Sequence, residues 1–452
     1  MRSNYFGLIV WLILAGTVSV NTYGQELQGE INKKIDLEYP SLQKLYEHLH
    51  EHPELSLHEK ETSKRLAEEL RGCGFEVTEN VGGYGVVGVL RNGDGQTVLV
   101  RTDMDALPIE EKTALPYASR AETIDAQGRK VGVMHACGHD IHMTIFTGVA
   151  RLMSSRRDKW CGTLVMIGQP AEELAAGARA MLADGLFERF PRPDYLLGLH
   201  IMDDIAAGQI GFRAGYAMAR VDSVDITVRG VGGHGAAPHE TKDPVVMAAE
   251  IILALQTIVS REVSPFEPVV VTVGQIHGGT KRNIIPDEVK MELTVRSYGE
   301  QTREQILSAI ERKCRGVAQA AGVAGEQFPI VYVEPNPCPP LYNSPELVRR
   351  VNAAMGRVIG DENIRFVGRK TGGEDFAVYR QQNPSIPSYM FFVGYISDDK
   401  AAQGLCSGGL QPKLHSPYLA PDAEPTIKTG IKVMSAAVLE LMGTSGAATG
   451  GK

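Results

Sequence analysis

The sequence predicts an α/β chain: a catalytic-type domain on a mostly parallel sheet, carrying an inserted ferredoxin-like α+β domain. Three observations predict it. Short apolar runs alternate with helical patterns up to about residue 212, the rhythm of a parallel sheet covered by helices. At Tyr216 the character changes to half-exposed alternating strands, in the order strand–helix–strand–strand–helix–strand. Beyond residue 334 the pattern of the first domain returns.

Each element has its own warrant. Arg2 precedes the apolar run Phe6-Gly-Leu-Ile-Val-Trp-Leu-Ile-Leu-Ala-Gly16, with small and polar residues up to Gly24. That charge-then-apolar order reads as a secretory signal over residues 1–24, cleaved near Gly24-Gln25, with an uncleaved anchor as the alternative. Either reading puts the body of the chain outside the cytoplasm, secreted or periplasmic, and free of the membrane once the signal is removed. No later run approaches spanning length by this reading. Residues 25–40 read as a polar lead-in. A helix over 42–51 is broken by His52-Pro53-Glu54-Leu55-Ser56, and one over 59–71 stops at Gly72 and Gly74. Buried strands are expected at 97–101, 162–168 and 194–199. The inserted lid or dimerisation domain, residues 216–334, has strands at 222–229, 268–276, 288–297 and 329–334, with helices at 244–261 and 303–321. The first domain (25–215) resumes over 335–443 with a helix at 344–358 and a strand at 389–394. The Ala/Gly-rich residues 444–452 read as a disordered tail.

A chain of 452 residues with 43% hydrophobic content can bury a large core in two domains. Its net charge of -8 and lack of a long basic run exclude nucleic acid as a partner, since phosphate contacts need clustered Lys and Arg. Six cysteines, at 73, 137, 161, 314, 338 and 406, are too sparse for a disulfide scaffold, and no structural disulfide is expected.

The chemistry concentrates in His135-Ala-Cys137-Gly-His139-Asp140-Ile-His142, a thiol, three imidazoles and a carboxylate within eight residues. A zinc-class metal asks for such ligands. In an extended stretch Cys137 and His139 project to one side. Three expected strands end in further candidates: Asp103 and Asp105, then Glu172-Glu173, then His200. Ligands bind beyond the carboxyl ends of parallel strands, so these groups belong at one edge. Adjacent glutamates diverge in helix or strand, which suits one to bind metal and the other to take a proton. Asp105 is expected to orient a ligand histidine such as His139, and Asp103 to do the same or approach a metal. Asp140 and His135 read as supporting residues, and His142 as packing.

Asp103-Met-Asp-Ala-Leu-Pro108, His135-Ala-Cys-Gly-His-Asp140, Gln169-Pro-Ala-Glu-Glu173, Gly233-His-Gly-Ala-Ala-Pro-His239, Asn283-Ile-Ile-Pro-Asp287, Gly372-Gly-Glu-Asp-Phe-Ala377 and His415-Ser-Pro417 occur in this order. As an ordered set, over roughly residues 38–440, they resemble the dinuclear-metal amidohydrolases related to aminoacylases and glutamate carboxypeptidases. The branch they resemble is that of hippurate and auxin-conjugate (indole-acetyl-amino-acid) hydrolases. Two departures are visible: Ile141 where that branch commonly has glycine, and Met143 where it commonly has threonine.

The resemblance implies two divalent metal ions, zinc or manganese with cobalt and nickel open, on Cys137, His139, Glu173, His200 and His415. It implies Glu172 as general base and His234 as an oxyanion donor, often serving a partner subunit's site. Asn283 and Glu374 would line the substrate pocket, and a homodimer would form through the inserted domain. The implied reaction is hydrolysis of an N-acyl or N-aroyl amino acid to a carboxylate and a free amino acid. A secreted dipeptidase or carboxypeptidase on the same scaffold, and a metal protein without catalysis, are the alternatives.

Overall fold

The computed structural model describes residues 6–125, 128–397 and 413–443, with side chains described from residue 29. The tail 444–452 lies outside the described residues, as do Cys406 and the first five residues of the expected signal. Two compact units divide the chain: Met1–Gly215, Asn343–Val367 and Tyr379–Lys452 form one, Tyr216–Tyr342 and Gly368–Val378 the other.

The first unit is built on an eight-stranded sheet. Its strands are β1 (Glu76–Val81), β2 (Gly85–Asn92), β3 (Thr97–Asp103), β4 (Gly162–Gln169), β5 (Tyr195–Ala206), β6 (Ile210–Phe212), β13 (Ile364–Phe366) and β14 (Ser388–Ile396), in the order β1-β2-β4-β3-β5-β14-β6-β13. The central strands β4, β3, β5 and β14 run parallel, with antiparallel strands toward both sides. β3 and β4 are near-continuous apolar runs because helices cover a parallel sheet. Those helices include α3 (His139–Ser155) and α6 (Ala423–Met442), buried on almost every side. They interlock through glycines: a Cβ on Gly148 would lie 2.3 Å from Ile431 Cδ1, and one on Gly430 would lie 2.3 Å from Ile145 Cδ1. β5 runs on past His200 to Ala206, so that histidine lies within a strand and not at its end.

The lead-in expected over 25–40 is helix instead. α1 spans Phe6–Glu51, and Ile31, Ile35, Tyr39, Leu42, Tyr46 and Leu49 form one buried stripe at helical spacing. Pro40 stands inside this helix, where a proline ordinarily marks a first turn, and the lead-in before it is about four turns of helix. α2 (Lys60–Gly72) then packs beside β1 and β2.

In the second unit β7 (Arg220–Arg229), β9 (Val270–Gly278), β11 (Glu288–Ser297) and β12 (Ile330–Val333) form an antiparallel sheet ordered β9-β11-β7-β12. With α4 (Pro244–Thr257) and α5 (Glu300–Ala320) this is the ferredoxin-like topology. The unit exceeds the expected 216–334 segment because it runs on to Tyr342, with Val221 N–H donating to the Cys338 carbonyl, and because Gly368–Val378 joins it: Ala219 N–H donates to the Lys370 and Gly372 carbonyls, and the Tyr298 hydroxyl to that of Lys370. Contrary to the sequence reading, one more helical stretch, Pro244–Glu262 with 19 residues, is long and apolar enough to span a membrane. Met247, Ala248, Ile251, Leu255 and Ile258 bury one face of it in this unit's own core.

Candidate metal centre

Each candidate ligand reaches the centre from a different element of the first unit. Cys137 lies in a turn, and Gly138, at φ +78, precedes the first residue of α3, His139. The chain therefore reverses between the two ligands and does not run extended. An L-residue at 138 would be strained, and its Cβ would meet Ile201 Cδ1 at 2.2 Å. His200 comes from β5, paired with Phe392 of β14. His415 takes φ +64, and its N–H donates to the Ala136 carbonyl at 2.7 Å, tying it to the Cys137 turn.

Two sets of donors converge. The ligand atoms of Cys137, His139 and His200 lie within 4.8 Å of one another, as do those of Cys137, Glu173 and His415. Cys137 Sγ is 3.4 Å from His200 Nε2, and His415 Nε2 is 3.5 Å from Glu173 Oε1. Donors around a zinc-class ion, with bonds near 2.0–2.3 Å, stand about 3–4 Å apart, so the spacings fit. His139 Nε2 is buried with no hydrogen-bond partner among the described residues, which fits a nitrogen that would ligate a cation. Burial opposes charge on His139, yet Asp103, Asp105 and Glu173 outweigh it and raise its pKa to about 10. Burial, with Glu173, Glu172 and Asp103, holds the Cys137 thiol well above its usual range. A field this negative favours a cation, and a divalent ion would turn the thiol into a thiolate.

The glutamate pair does not diverge as regular backbone would require. Glu172 Oε2 and Glu173 Oε1 each lie 4.0 Å from His139 Nε2. The reason is local: Ala171 (φ +51) and Ala175 (φ +50) flank the pair in left-handed conformations, so the chain leaves β4 as neither helix nor strand. Such geometry costs about 1–3 kcal/mol per non-glycine residue and must be held by its surroundings.

Asp105 does much of that holding, in a role wider than expected. Its backbone carbonyl accepts from His139 Nδ1 at 2.8 Å, and its carboxylate Oδ1 lies 3.4 Å from the same nitrogen, so it orients that ring as expected. Its carboxylate accepts the Glu172 N–H at 3.1 Å, the Glu173 N–H at 3.0 Å and the Ser56 hydroxyl at 2.6 Å. Asp103 accepts from Arg101 at 2.6 Å and from His142 Nδ1 at 2.7 Å. His142 Nε2 in turn accepts the Ile201 N–H at 2.9 Å, so His142 does more than pack: it joins Asp103 to the residue after His200. Asp140 pairs with His50 Nδ1 at 2.7 Å, and Glu111 meets the other nitrogen of that ring at 3.2 Å. Neither His135 ring nitrogen has a hydrogen-bond partner among the described residues.

The remaining candidates belong to the second unit. His234, on the two-residue strand β8 (Gly233–His234), pairs with Ile284 of β10 (Ile284–Ile285). It is exposed, and its Nδ1 accepts the Ala236 N–H at 3.0 Å. Asn283 is beside it, also exposed, its carbonyl accepting the Gly235 N–H at 2.9 Å. Glu374 is buried, and its carboxylate accepts the Phe376 N–H at 2.8 Å. Sequence reasoning missed His50, Ser56 and Arg296. The first two act through contacts 90 and 49 residues distant. Arg296 is half-buried on β11, its guanidinium makes no hydrogen bond or ion pair among the described residues, and a Cβ on Gly373 would lie 3.8 Å from its Nη1. Arg296 stands on the outward phase of β11, with Lys290, Glu292 and Thr294, where a charged residue is ordinary, so the alternation gave no signal.

Comparison with known proteins agrees with this geometry. Residues 99–440 match the model of peptidase family M20/M25/M40. A hippurate hydrolase of Campylobacter jejuni is 38% identical over 357 residues, covering 78% of this chain and 86% of that protein. Thermostable carboxypeptidase 1 of Saccharolobus solfataricus is 37% identical over 359 residues, covering 78% and 85%. The crystal structure of a dinuclear metal binding peptidase from the M20 family, of Bacillus subtilis, superposes with a TM-score of 0.71 at 30% identity, covering 90% of this chain and 99% of that one. On sequence, fold and ligand chemistry alike, the chain belongs to the M20/M25/M40 peptidase family.

Proposed function

We propose that this chain hydrolyses the amide bond of N-acyl or N-aroyl amino acids, using two divalent cations, zinc or manganese. One observation carries the reading: Glu172 and Glu173 both reach toward His139 beside the donor sets Cys137–His139–His200 and Cys137–Glu173–His415. A purely structural metal site has no use for the extra carboxylate.

Cys137, His139, Glu173, His200 and His415 would hold the cations, which when bound polarise the scissile carbonyl and lower the pKa of water. Glu172 takes the proton of the attacking water and returns it to the leaving amine. Asp105 fixes the backbone of Glu172, so the carboxylate needs no reorientation between the two transfers. His234 and Asn283 share one edge of the second unit and supply a donor for developing negative charge. The Arg296 guanidinium matches a carboxylate, the group an amino-acid product carries.

A carboxypeptidase or dipeptidase is the second reading, favoured by the likeness to the thermostable carboxypeptidase. Both reactions cleave an amide on the nitrogen of an amino acid with a free carboxylate, and they differ on the acyl side. We further propose export by the N-terminal segment and a homodimer through the inserted unit. Supporting the dimer, β9 is an edge strand, and Val246 and Leu253 of α4 are 54% and 71% exposed.

The test is hydrolysis by metal-stripped protein refilled separately with zinc and with manganese. The panel holds hippurate, N-acetyl amino acids, indole-acetyl conjugates and dipeptides. Metal-dependent turnover of acyl amino acids is expected; turnover confined to dipeptides selects the second reading. Tightly bound metal without any turnover sinks both.

A further inference from the structure

The segment between α1 and α2, His52-Pro-Glu-Leu-Ser-Leu-His-Glu59, has entered so far only through Ser56, yet it touches the exits of both β3 and β4. The Glu54 carboxylate accepts the Thr62 N–H at 2.8 Å at the start of α2, and the Glu54 carbonyl accepts the Ala106 N–H at 2.8 Å. Ser56 donates to Asp105 at 2.6 Å. Glu59 is fully buried, and its Oε1 accepts the Ala171 N–H at 2.8 Å, across 112 residues. Leu57, between them, is itself left-handed at φ +67.

We propose that Glu59 is a positioning residue for the base: its buried carboxyl group holds the left-handed backbone of Ala171 and so sets the direction in which Glu172 leaves β4. Ala171 is the last residue before the glutamate pair. An alanine leaves φ +51 for the right-handed or extended regions unless something opposes it. Its N–H bond to Glu59 and the Asp105 bonds to the next two amides pin three successive backbone N–H groups from two separate segments, the α1–α2 loop and the exit of β3. Rotation at Ala171 would swing both glutamates off His139. Burial pushes the Glu59 carboxyl up to about 7, so a neutral acceptor suits this position. Glutamine is therefore a fair replacement and alanine is not.

The inference rests on Glu172 as the base, and the experiment separates the two. Wild type, Glu172→Gln, Glu59→Ala, Glu59→Gln and Glu59→Ala/Ala171→Gly are compared for kcat, KM, metal content and backbone hydrogen exchange over residues 169–175. A small misplacement of a reacting group costs up to about 100-fold in rate. Glu59→Ala is expected to lose about 10- to 100-fold in kcat, with KM within about threefold of wild type and metal content retained. Glu59→Gln keeps at least about a third of wild-type kcat. Ala171→Gly removes the steric objection to a positive φ, so it recovers about threefold or more of the loss in the Glu59→Ala background. Exchange at 169–175 rises in Glu59→Ala and not in Glu59→Gln. Should Glu59→Ala fail to fold, Glu59→Leu fills the same space without an acceptor and takes its place. Wild-type kcat and unchanged exchange in the alanine or leucine variant overturn the inference, and so does a double variant no faster than the single one. Inactive wild type, or an active Glu172→Gln, strikes the proposed function instead, while the exchange comparison still judges Glu59.

Discussion

Cys137 belongs to both donor sets, whereas His200 belongs to one. Cys137→Ser is therefore expected to strip metal from both positions, and His200→Ala from one. Metal content after dialysis, read by elemental analysis, checks this; equal losses in the two variants would show that the thiol is not shared. Glu172 makes a different prediction. Glu172→Gln keeps the length and the Asp105 contact to its backbone but cannot take a proton, so kcat should fall about 100- to 10,000-fold with metal content unchanged. Cys137 and His139 were legible as candidate ligands because their types are rare and dense in sequence, whereas the isolated His415 was reached through the family resemblance. The convergence of Glu172 and Glu173 was not, because it depends on left-handed alanines, and alanine gives no sign of that conformation as glycine or asparagine would.

At the scale of elements, the N-terminus of α3 is braced against α1 through buried charge. His50 at the end of α1 sits between Asp140 of α3 and Glu111, all three almost fully buried. Burial resists charge on this ring, but the two carboxylates prevail and raise its pKa to about 10. A histidine raised from 6.5 to about 10 contributes stability fully present below about pH 6.5 and lost as pH rises through about 10. Tm should therefore decline across that window, and His50→Gln should lower Tm at pH 6.5 while flattening the decline. A slope unchanged in the variant would show that His50 is neutral in the folded chain. His50 itself lay in an expected helix; its partners, 61 and 90 residues away, left no mark in the local pattern.

For the molecule as a whole, the cluster of Asp103, Asp105, Glu172 and Glu173 gathers negative charge inside the first unit. A cation that binds only the folded state stabilises it by mass action, about 4 kcal/mol at a free concentration 1,000 times Kd. Chelation should therefore lower Tm, with zinc or manganese restoring it, and calorimetry with and without chelator reads the effect. Identical thermograms would mean that the centre binds no cation in the folded chain. The division into two units also belongs to this scale. The change to alternating strands at Tyr216 was visible, but recruitment of Gly368–Val378 into the second unit was not, because it depends on backbone bonds to Ala219 and Tyr298 across the chain.

The sequence by itself determined the fold class, the order of elements in the second unit and which side chains are candidates to bind metal. Apolar periodicity records which face of each element is buried, and ligand chemistry is written in residue type. Tertiary structure alone decided how those side chains are aimed. Aim comes from Gly138 turning the chain between Cys137 and His139, from Asp105 and Glu59 gripping the amides of residues 171–173, and from His142 joining Asp103 to Ile201. Apart from the Gly138 turn, these bonds join residues 39 to 112 apart. Local periodicity carries no information on such pairs, because the physical cause is which backbone N–H meets which carboxylate after the sheet has formed.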